Sequence, residues 1–229
     1  MDAFGQWVLP ILQIVWIDLL LSGDNAVVIA MACRGLPYRQ RRMGILLGAF
    51  AAVAMRVAFT GVTSTLIAIP LLKIVSGLLL LWIAVKLLTE EVEDHVPDEN
   101  AATDRLWKAI WTIVVADVVM SLDNVIAITA AAKGHWGLIV FGLLLSIPLV
   151  IFGSTLISGL IKRFPVIVWG GAALLGWIAG EIFVDDALIR DVTHGPAWHY
   201  GAALAGVTIV LVVGALLRQR AKAGAAASA

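Results

Sequence analysis

Asp18, Ser22, Asp24 and Asn25 fall within one short apolar stretch, and Asp117, Ser121, Asp123 and Asn124 repeat those residue types in another, at a constant offset of 99 residues. Carboxylates and amide carbonyls are hard oxygen donors, suited to six-coordinate binding of Mn²⁺, Mg²⁺ or Ca²⁺. No Cys/His cluster accompanies them, which argues against a dedicated Zn²⁺ or Cu⁺ site. Four carboxylates also allow protonation to oppose metal binding. Ser22 and Ser121 either ligate directly, orient the acids or bond one helix to another. At 100° per residue, Asp18, Ser22 and Asn25 share one helical face, as do Asp117, Ser121 and Asn124, while Asp24 and Asp123 lie about 120° from the first acid of each set. Gly23 permits local unwinding in the first run; Leu122, in the matching place, gives the second no such freedom.

The elements that carry these runs are membrane spans. Of the 229 residues, 61% are hydrophobic and only 14% charged, with a mean hydropathy of +0.98, well beyond the composition of a soluble domain. Apolar stretches at about 8–32, 43–65, 67–89, 107–131, 137–161, 165–184 and 200–217 are mostly near the ~20 residues needed to cross a bilayer. Runs such as Leu78-Leu79-Leu80-Leu81-Trp82-Ile83 do not alternate as barrel strands do. The expected fold is therefore all-α and polytopic, with seven transmembrane helices. The first stretch has neither a basic start nor a small-residue cleavage pattern, so it reads as a retained span.

The repeated signature extends weakly through Gly48 and Gly142, Pro70 and Pro165, Gly77 and Gly171, and Trp82 and Trp177. Spans one to three then duplicate spans four to six. Three spans per unit is an odd number, so the second unit enters with opposite orientation; two inverted three-helix repeats plus a seventh helix result. The domain reading is a first repeat over 1–89, an acidic linker over 90–106, a second repeat over 107–184, an outer loop and seventh helix over 185–217 and a disordered tail over 218–229. Close helix contacts are expected at Gly44, Gly48, Gly77 and the series Gly170, Gly171, Gly176 and Gly180.

Arg34, Arg39, Arg41, Arg42, Lys86, Arg105, Lys108, Lys162, Arg163, Arg218, Arg220 and Lys222 fall on one side of this topology, against Lys73, Lys133 and Arg190 on the other. The basic side faces the cytoplasm, which puts the N-terminus outside and the C-terminus inside. Arg56, within span two, is either a counter-ion or gate for the acids or a side chain snorkelling along a helix edge. Lys86 and Glu181 are boundary charges with gating as the alternative. The acidic linker after Glu90 and the outer loop from Val184 to His194 read as solvated segments able to attract cations. Sixteen basic residues against sixteen acidic ones give a net charge of +0, with no surplus for nucleic acid. The single Cys33 forms no intrachain disulfide and suits a helix end. No nucleophile–base arrangement accompanies the acids, so an enzyme is not expected.

On the two eight-residue runs, Asp18-Leu19-Leu20-Leu21-Ser22-Gly23-Asp24-Asn25 and Asp117-Val118-Val119-Met120-Ser121-Leu122-Asp123-Asn124, with the seven spans and the acidic linker, the chain resembles the TerC family of integral membrane proteins, in its short, YjbE-like branch. That resemblance implies membership of the wider lysine-exporter-like transporter group and manganese efflux or metal homeostasis. It carries a metal role onto Asp18, Asp24, Asn25, Asp117, Asp123 and Asn124, with Ser22, Ser121 and Arg56 in support.

The function expected is a secondary transporter in the bacterial cytoplasmic (inner) membrane, exporting Mn²⁺ by alternating access around the paired signatures. H⁺ and Na⁺ are both candidates for the counter-ion, no prosthetic group is expected, and a homo-oligomer is compatible with the sequence. The alternatives are an exchanger of Ca²⁺ or another cation, and a membrane accessory that loads metal into exported enzymes.

Overall fold

The computed structural model describes residues 11–12, 14–16, 23–60, 71–90, 99–132, 135–189, 192–193 and 195–227. Its described elements are all helical: α1 (Gly23–Ala32), α2 (Tyr38–Thr60), α3 (Leu72–Thr89), α4 (Glu99–Ala131), α5 (Trp136–Arg163), α6 (Val166–Val184) and α7 (Pro196–Ala227). Among the described residues, α2, α3, α5, α6 and the Pro196–Ala221 part of α7 are long and apolar enough to cross a membrane. The predicted first span is described only at its ends, as helical residues 11–12 and 14–16 and as α1.

Proline and glycine mark several boundaries. Pro37 precedes α2 and Pro165 precedes α6, while Gly195 at a φ of 107° turns the chain into Pro196, the first residue of α7, where a missing N–H costs nothing. Two expectations are corrected. The fourth helix begins at Glu99, so the last part of the expected linker is helical. The expected disordered tail continues α7 to Ala227, because its Ala, Arg, Gln and Lys residues are strong helix formers.

The helices form two compact units, residues 1–67 with 94–162 and residues 68–93 with 163–229. These do not follow the sequence repeats: the first unit holds α1, α2, α4 and α5, the second α3, α6 and α7. In the first unit Gly44, Gly48 and Arg56 lie along one face of α2 and meet Leu106, Ile113 and Asp117 of α4 in the same order, so the two helices run parallel. A Cβ at Gly48 would stand 2.6 Å from Ile113, and one at Gly142 of α5 would stand 2.5 Å from Ile14. Ile14 and Ile113 are separated by the signature's own offset, so these two contacts are counterparts.

The second unit is held by backbone-to-backbone approach. α6 and α7 cross where Gly176 faces Gly206 and Gly180 faces Ala202; a Cβ at Gly176 would lie 2.7 Å from the Gly206 carbonyl. Gly77 brings α3 equally close to α6, against the Ala179 carbonyl. The close contact expected at Gly170 is not made: among the described residues, nothing stands within 4 Å of a Cβ added there.

Asp186 ties the start of α3 to the loop after α6. It is 1% exposed, and its carboxylate accepts the N–H groups of Leu71 (3.2 Å), Lys73 (3.1 Å), Ile74 (3.3 Å) and Leu188 (2.9 Å). It thereby caps, from a distant part of the chain, donors that helix α3 cannot satisfy itself. Leu71 sits at a φ of 70°, an unfavourable conformation for a branched side chain, and its bonded N–H helps to hold it there. Burial pushes the Asp186 carboxyl up, but the four N–H donors outweigh that and keep it below the usual carboxylate range. The outer loop's Asp186 is therefore turned inward and is not a solvated cation attractor.

Gly206→Ala is expected to lower the thermal midpoint in detergent, at a cost of about 1–3 kcal/mol of overpacking. Gly201→Ala, with nothing within 4 Å of its added Cβ, is expected to be neutral or stabilising. Asp186→Ala should cost about 1–2 kcal/mol, as for a lost helix cap. Because the native carboxyl is held low, that contribution is complete above the ordinary carboxylate range and fades as pH falls through the depressed value. The difference in midpoint between wild type and Asp186→Ala should therefore shrink on acidification.

Candidate functional site

The first unit buries an ion pair. Arg56 on α2 and Asp117 on α4 are 3% and 4% exposed, with Arg56 Nη2 2.5 Å from Asp117 Oδ1. Arg56 Nε donates to Ser121 Oγ at 3.0 Å, and the Ser121 hydroxyl donates to Asp117 Oδ2 at 3.2 Å. The three side chains form a closed ring of charge-assisted bonds in which both carboxylate oxygens are engaged.

Local geometry explains the ring. α4 is an uninterrupted helix through the whole second signature, so Asp117 and Ser121, one turn apart, project from one face. The second signature therefore does not unwind. Gly48 lets α2 approach α4 closely at Ile113, one turn before Asp117, and Arg56 emerges from α2 two turns further along the same face. This gives the predicted cation a defined place at the second signature, and the snorkelling alternative is not the arrangement observed.

α1 brings the first signature to the same unit. Asp24, in its first turn, accepts the N–H of Asn25 at 2.7 Å and lies within electrostatic range of both Arg56 and Asp117. Asn25 is 5% exposed, and neither its amide nitrogen nor its carbonyl oxygen has a hydrogen-bond partner among the described residues. A buried amide left unpaired costs about 1–3 kcal/mol, and Asn25 is a buried polar group that no described residue satisfies.

Of the nine site residues expected from sequence, Asp24, Asn25, Arg56, Asp117 and Ser121 are thus placed in one unit. Asp18 and Ser22 lie outside the described residues. Asp123 and Asn124 belong to the helical backbone of α4, and their side chains lie outside the described set. Among the described residues, no three His, Cys, Asp or Glu side chains gather as a metal group. Lys86 lies over the Trp82 ring at 5.3 Å, the contact of an interfacial side chain. The structure adds Asp186, which sequence reasoning placed in a solvated loop. Three of its four partners are backbone N–H groups more than a hundred residues away, and such donors leave no mark in residue identity.

The profile of the Integral membrane protein TerC family matches residues 4–222. The chain belongs to the TerC family. Among TerC-family relatives, YjbE of Bacillus subtilis (strain 168), named an uncharacterized membrane protein, is 45% identical over 182 residues, covering 79% of this chain and 82% of YjbE. YceF of the same organism, also named an uncharacterized membrane protein, is 30% identical over 139 residues, 58% of this chain and 54% of YceF. The UPF0053 inner membrane protein YgdQ of Escherichia coli (strain K12) is 24% identical over 162 residues, 64% of this chain and 68% of YgdQ. No solved structure gives a significant match. This TerC-family chain is thus a multi-pass integral membrane protein, and its conspicuous feature among the described residues is the buried Arg56–Asp117–Ser121 ring, with Asp24 in electrostatic range.

Removing one partner of a buried ion pair strands the other, a loss of about 3–5 kcal/mol, whereas replacing both by apolar residues is often close to neutral. Arg56→Met and Asp117→Leu are each expected to lower the thermal midpoint strongly, and the double variant much less than their sum. Additive losses in the double-mutant cycle would show that the two side chains are not energetically coupled.

Proposed function

We propose that this TerC-family protein is a secondary transporter, not an enzyme, that exports a divalent cation, with Mn²⁺ as the leading substrate. The observation that carries the reading is the buried Arg56–Asp117–Ser121 ring with Asp24 in electrostatic range and the adjacent Asn25 amide, which no described residue satisfies. Carboxylates and amide oxygens are hard donors of the kind that Mn²⁺ and Ca²⁺ accept. Ionisable groups inside a membrane are costly and generally mark ion pathways.

In this reading the ligand set is Asp18, Asp24, Asn25, Asp117, Asp123 and Asn124, with Ser22 and Ser121 orienting the acids. Arg56 is a tethered cation that neutralises Asp117 when no metal is bound. A divalent ion entering the site draws on Asp24 and the Asn25 carbonyl and competes with Arg56 for Asp117, so loading weakens the α2–α4 bridge. Ion binding is thereby coupled to a contact between helices, as alternating access requires. The counterpart contacts at Gly48–Ile113 and Gly142–Ile14 support two inverted three-helix repeats with a seventh helix, whose rearrangement exposes the site to either side. The membrane is the bacterial cytoplasmic (inner) membrane, with the N-terminus outside, and H⁺ or Na⁺ is the counter-ion.

Sealed proteoliposomes test this directly. Mn²⁺ flux under imposed H⁺ and Na⁺ gradients is expected to exceed Ca²⁺, Mg²⁺ and Zn²⁺ flux, and to fall at least about tenfold in folded Asp18→Asn and Asp117→Asn variants, as for lost charged ligands. Folded wild-type protein that moves none of these cations would refute the transporter reading in favour of a membrane accessory role.

A further inference from the structure

A second polar feature of the first unit lies away from the Arg56–Asp117 ring. Between the N-terminal end of α2 and the C-terminal end of α5 is a cleft of about 600 Å³, within the size range of small-molecule sites. Arg41, Arg42 and Lys162 stand at its mouth. Among the described residues, no carboxylate lines it.

The walls are graded. Along α2, Arg42 is followed one turn deeper by Leu46 and another turn on by Phe50, which are 45% and 50% exposed. Along α5, Lys162 is followed inward by Ser158, Thr155 and Ile151. Each wall runs from a cation at the end of a helix toward apolar side chains, exposed at Leu46 and half-buried at Ile151, and both helices are long and apolar enough to span a membrane. That gradient fits an amphiphile: a phosphate at the mouth and an acyl chain along Leu46 and Ile151. A free phosphate has no use for the apolar part, and an acidic peptide would have to enter hydrocarbon.

The mouth is also built in advance. Arg41 Nη2 donates to the Leu36 carbonyl at 2.9 Å, which fixes its guanidinium, while its buried Nε has no hydrogen-bond partner among the described residues. Arg42 lies 6.0 Å from the Tyr38 ring, a cation–π contact that restrains a second guanidinium beside the first. The first turn of α2 adds its own positive dipole end.

Simple helix packing does not account for the charges. The offset of 94 residues that relates Gly48 to Gly142 relates Arg41 to His135, Arg42 to Trp136 and Lys162 to Ala68. The equivalent positions thus lack the arginines and the lysine, and the basic mouth belongs to one end of the repeat pair, on the side whose loops are rich in Lys and Arg.

We propose that this cleft is a binding site for the headgroup of an anionic phospholipid, with Arg41, Arg42 and Lys162 holding the phosphate and Leu46 and Ile151 guiding the acyl chain. Basic pockets between membrane helices are suited to such headgroups.

Native mass spectrometry of the full chain in detergent, titrated with phosphatidylglycerol or zwitterionic phosphatidylethanolamine, tests the site. Arg42→Gln/Lys162→Gln removes two exposed charges without disturbing the Arg41 bond to Leu36. Arg220→Gln/Lys222→Gln removes two charges from the end of α7 as a control. Phosphatidylglycerol is expected to be retained in preference to phosphatidylethanolamine, with affinity falling about tenfold or more in Arg42→Gln/Lys162→Gln and holding in the control. No preference for the anionic lipid, or equal losses in both double variants, would overturn the proposal. Displacement of the lipid by inorganic phosphate at equal concentration would also overturn it, in favour of a free-phosphate site. Lipid binding is read without transport, so its failure is separate from that of the transporter reading.

Discussion

An arginine and an aspartate cannot both be taken out of water unless each finds the other and their remaining polar atoms are occupied. Arg56 and Asp117 meet that condition with Ser121, and the architecture of the first unit follows from it. α2 must approach α4 closely enough for a guanidinium to reach a carboxylate, and Gly44 and Gly48 on the approaching face remove the side chains that would hold the helices apart. The helices must run parallel, or Arg56 would lie at the wrong end of the contact. α4 must stay helical through the signature, or Ser121 would not stand over Asp117. A single electrostatic requirement thus fixes spacing, direction and continuity.

The same requirement separates the two signatures. Asp117 has a built-in cation on the neighbouring helix. The residue that the repeat offset relates to Arg56 is Val150, which brings no charge. Two signatures nearly identical in residue type therefore differ in the charge that the paired spans bring to them. Asn25 sharpens the difference, since its buried amide has no hydrogen-bond partner among the described residues, while Ser121 bonds both Arg56 and Asp117.

What could be read from residues alone divides along physical lines. The helical class, the tight glycine faces and the shared face of Asp117 and Ser121 follow from composition and a 100° period, which are local properties. Arg56 was legible as a problem, a charge in an apolar span, but not as a solution: its two readings, counter-ion or snorkel, differ only in the distance to another helix. The start of α4 and the end of α7 lie in polar stretches that lack an apolar period, yet they are helical because Ala, Arg, Lys and Gln favour helix when solvated. Asp186 was hidden most completely. A carboxylate that caps someone else's helix looks, in sequence, like any acid in a loop, because the N–H groups it serves belong to every residue type alike.

The two units also differ in kind. Every described signature residue lies in the first unit, whose contacts include a charged ring, an unpaired amide and side chains of several sizes. The second is closed by Gly176 against Gly206, Gly180 against Ala202 and Gly77 against Ala179, contacts between backbones that leave little room for alternative packing. Bistability is easier to build where interactions are polar and incompletely satisfied than where two backbones touch, because exchanging one hydrogen-bond partner for another costs far less than reopening a close-packed interface. On the transporter reading proposed above, conformational change coupled to an ion belongs in the first unit, at the α2–α4 bridge, and the glycine-closed second unit is the stiffer one. The Asp186 cap follows the same logic: it pins the start of α3, at a strained Leu71, to the loop after α6, and so stiffens the second unit.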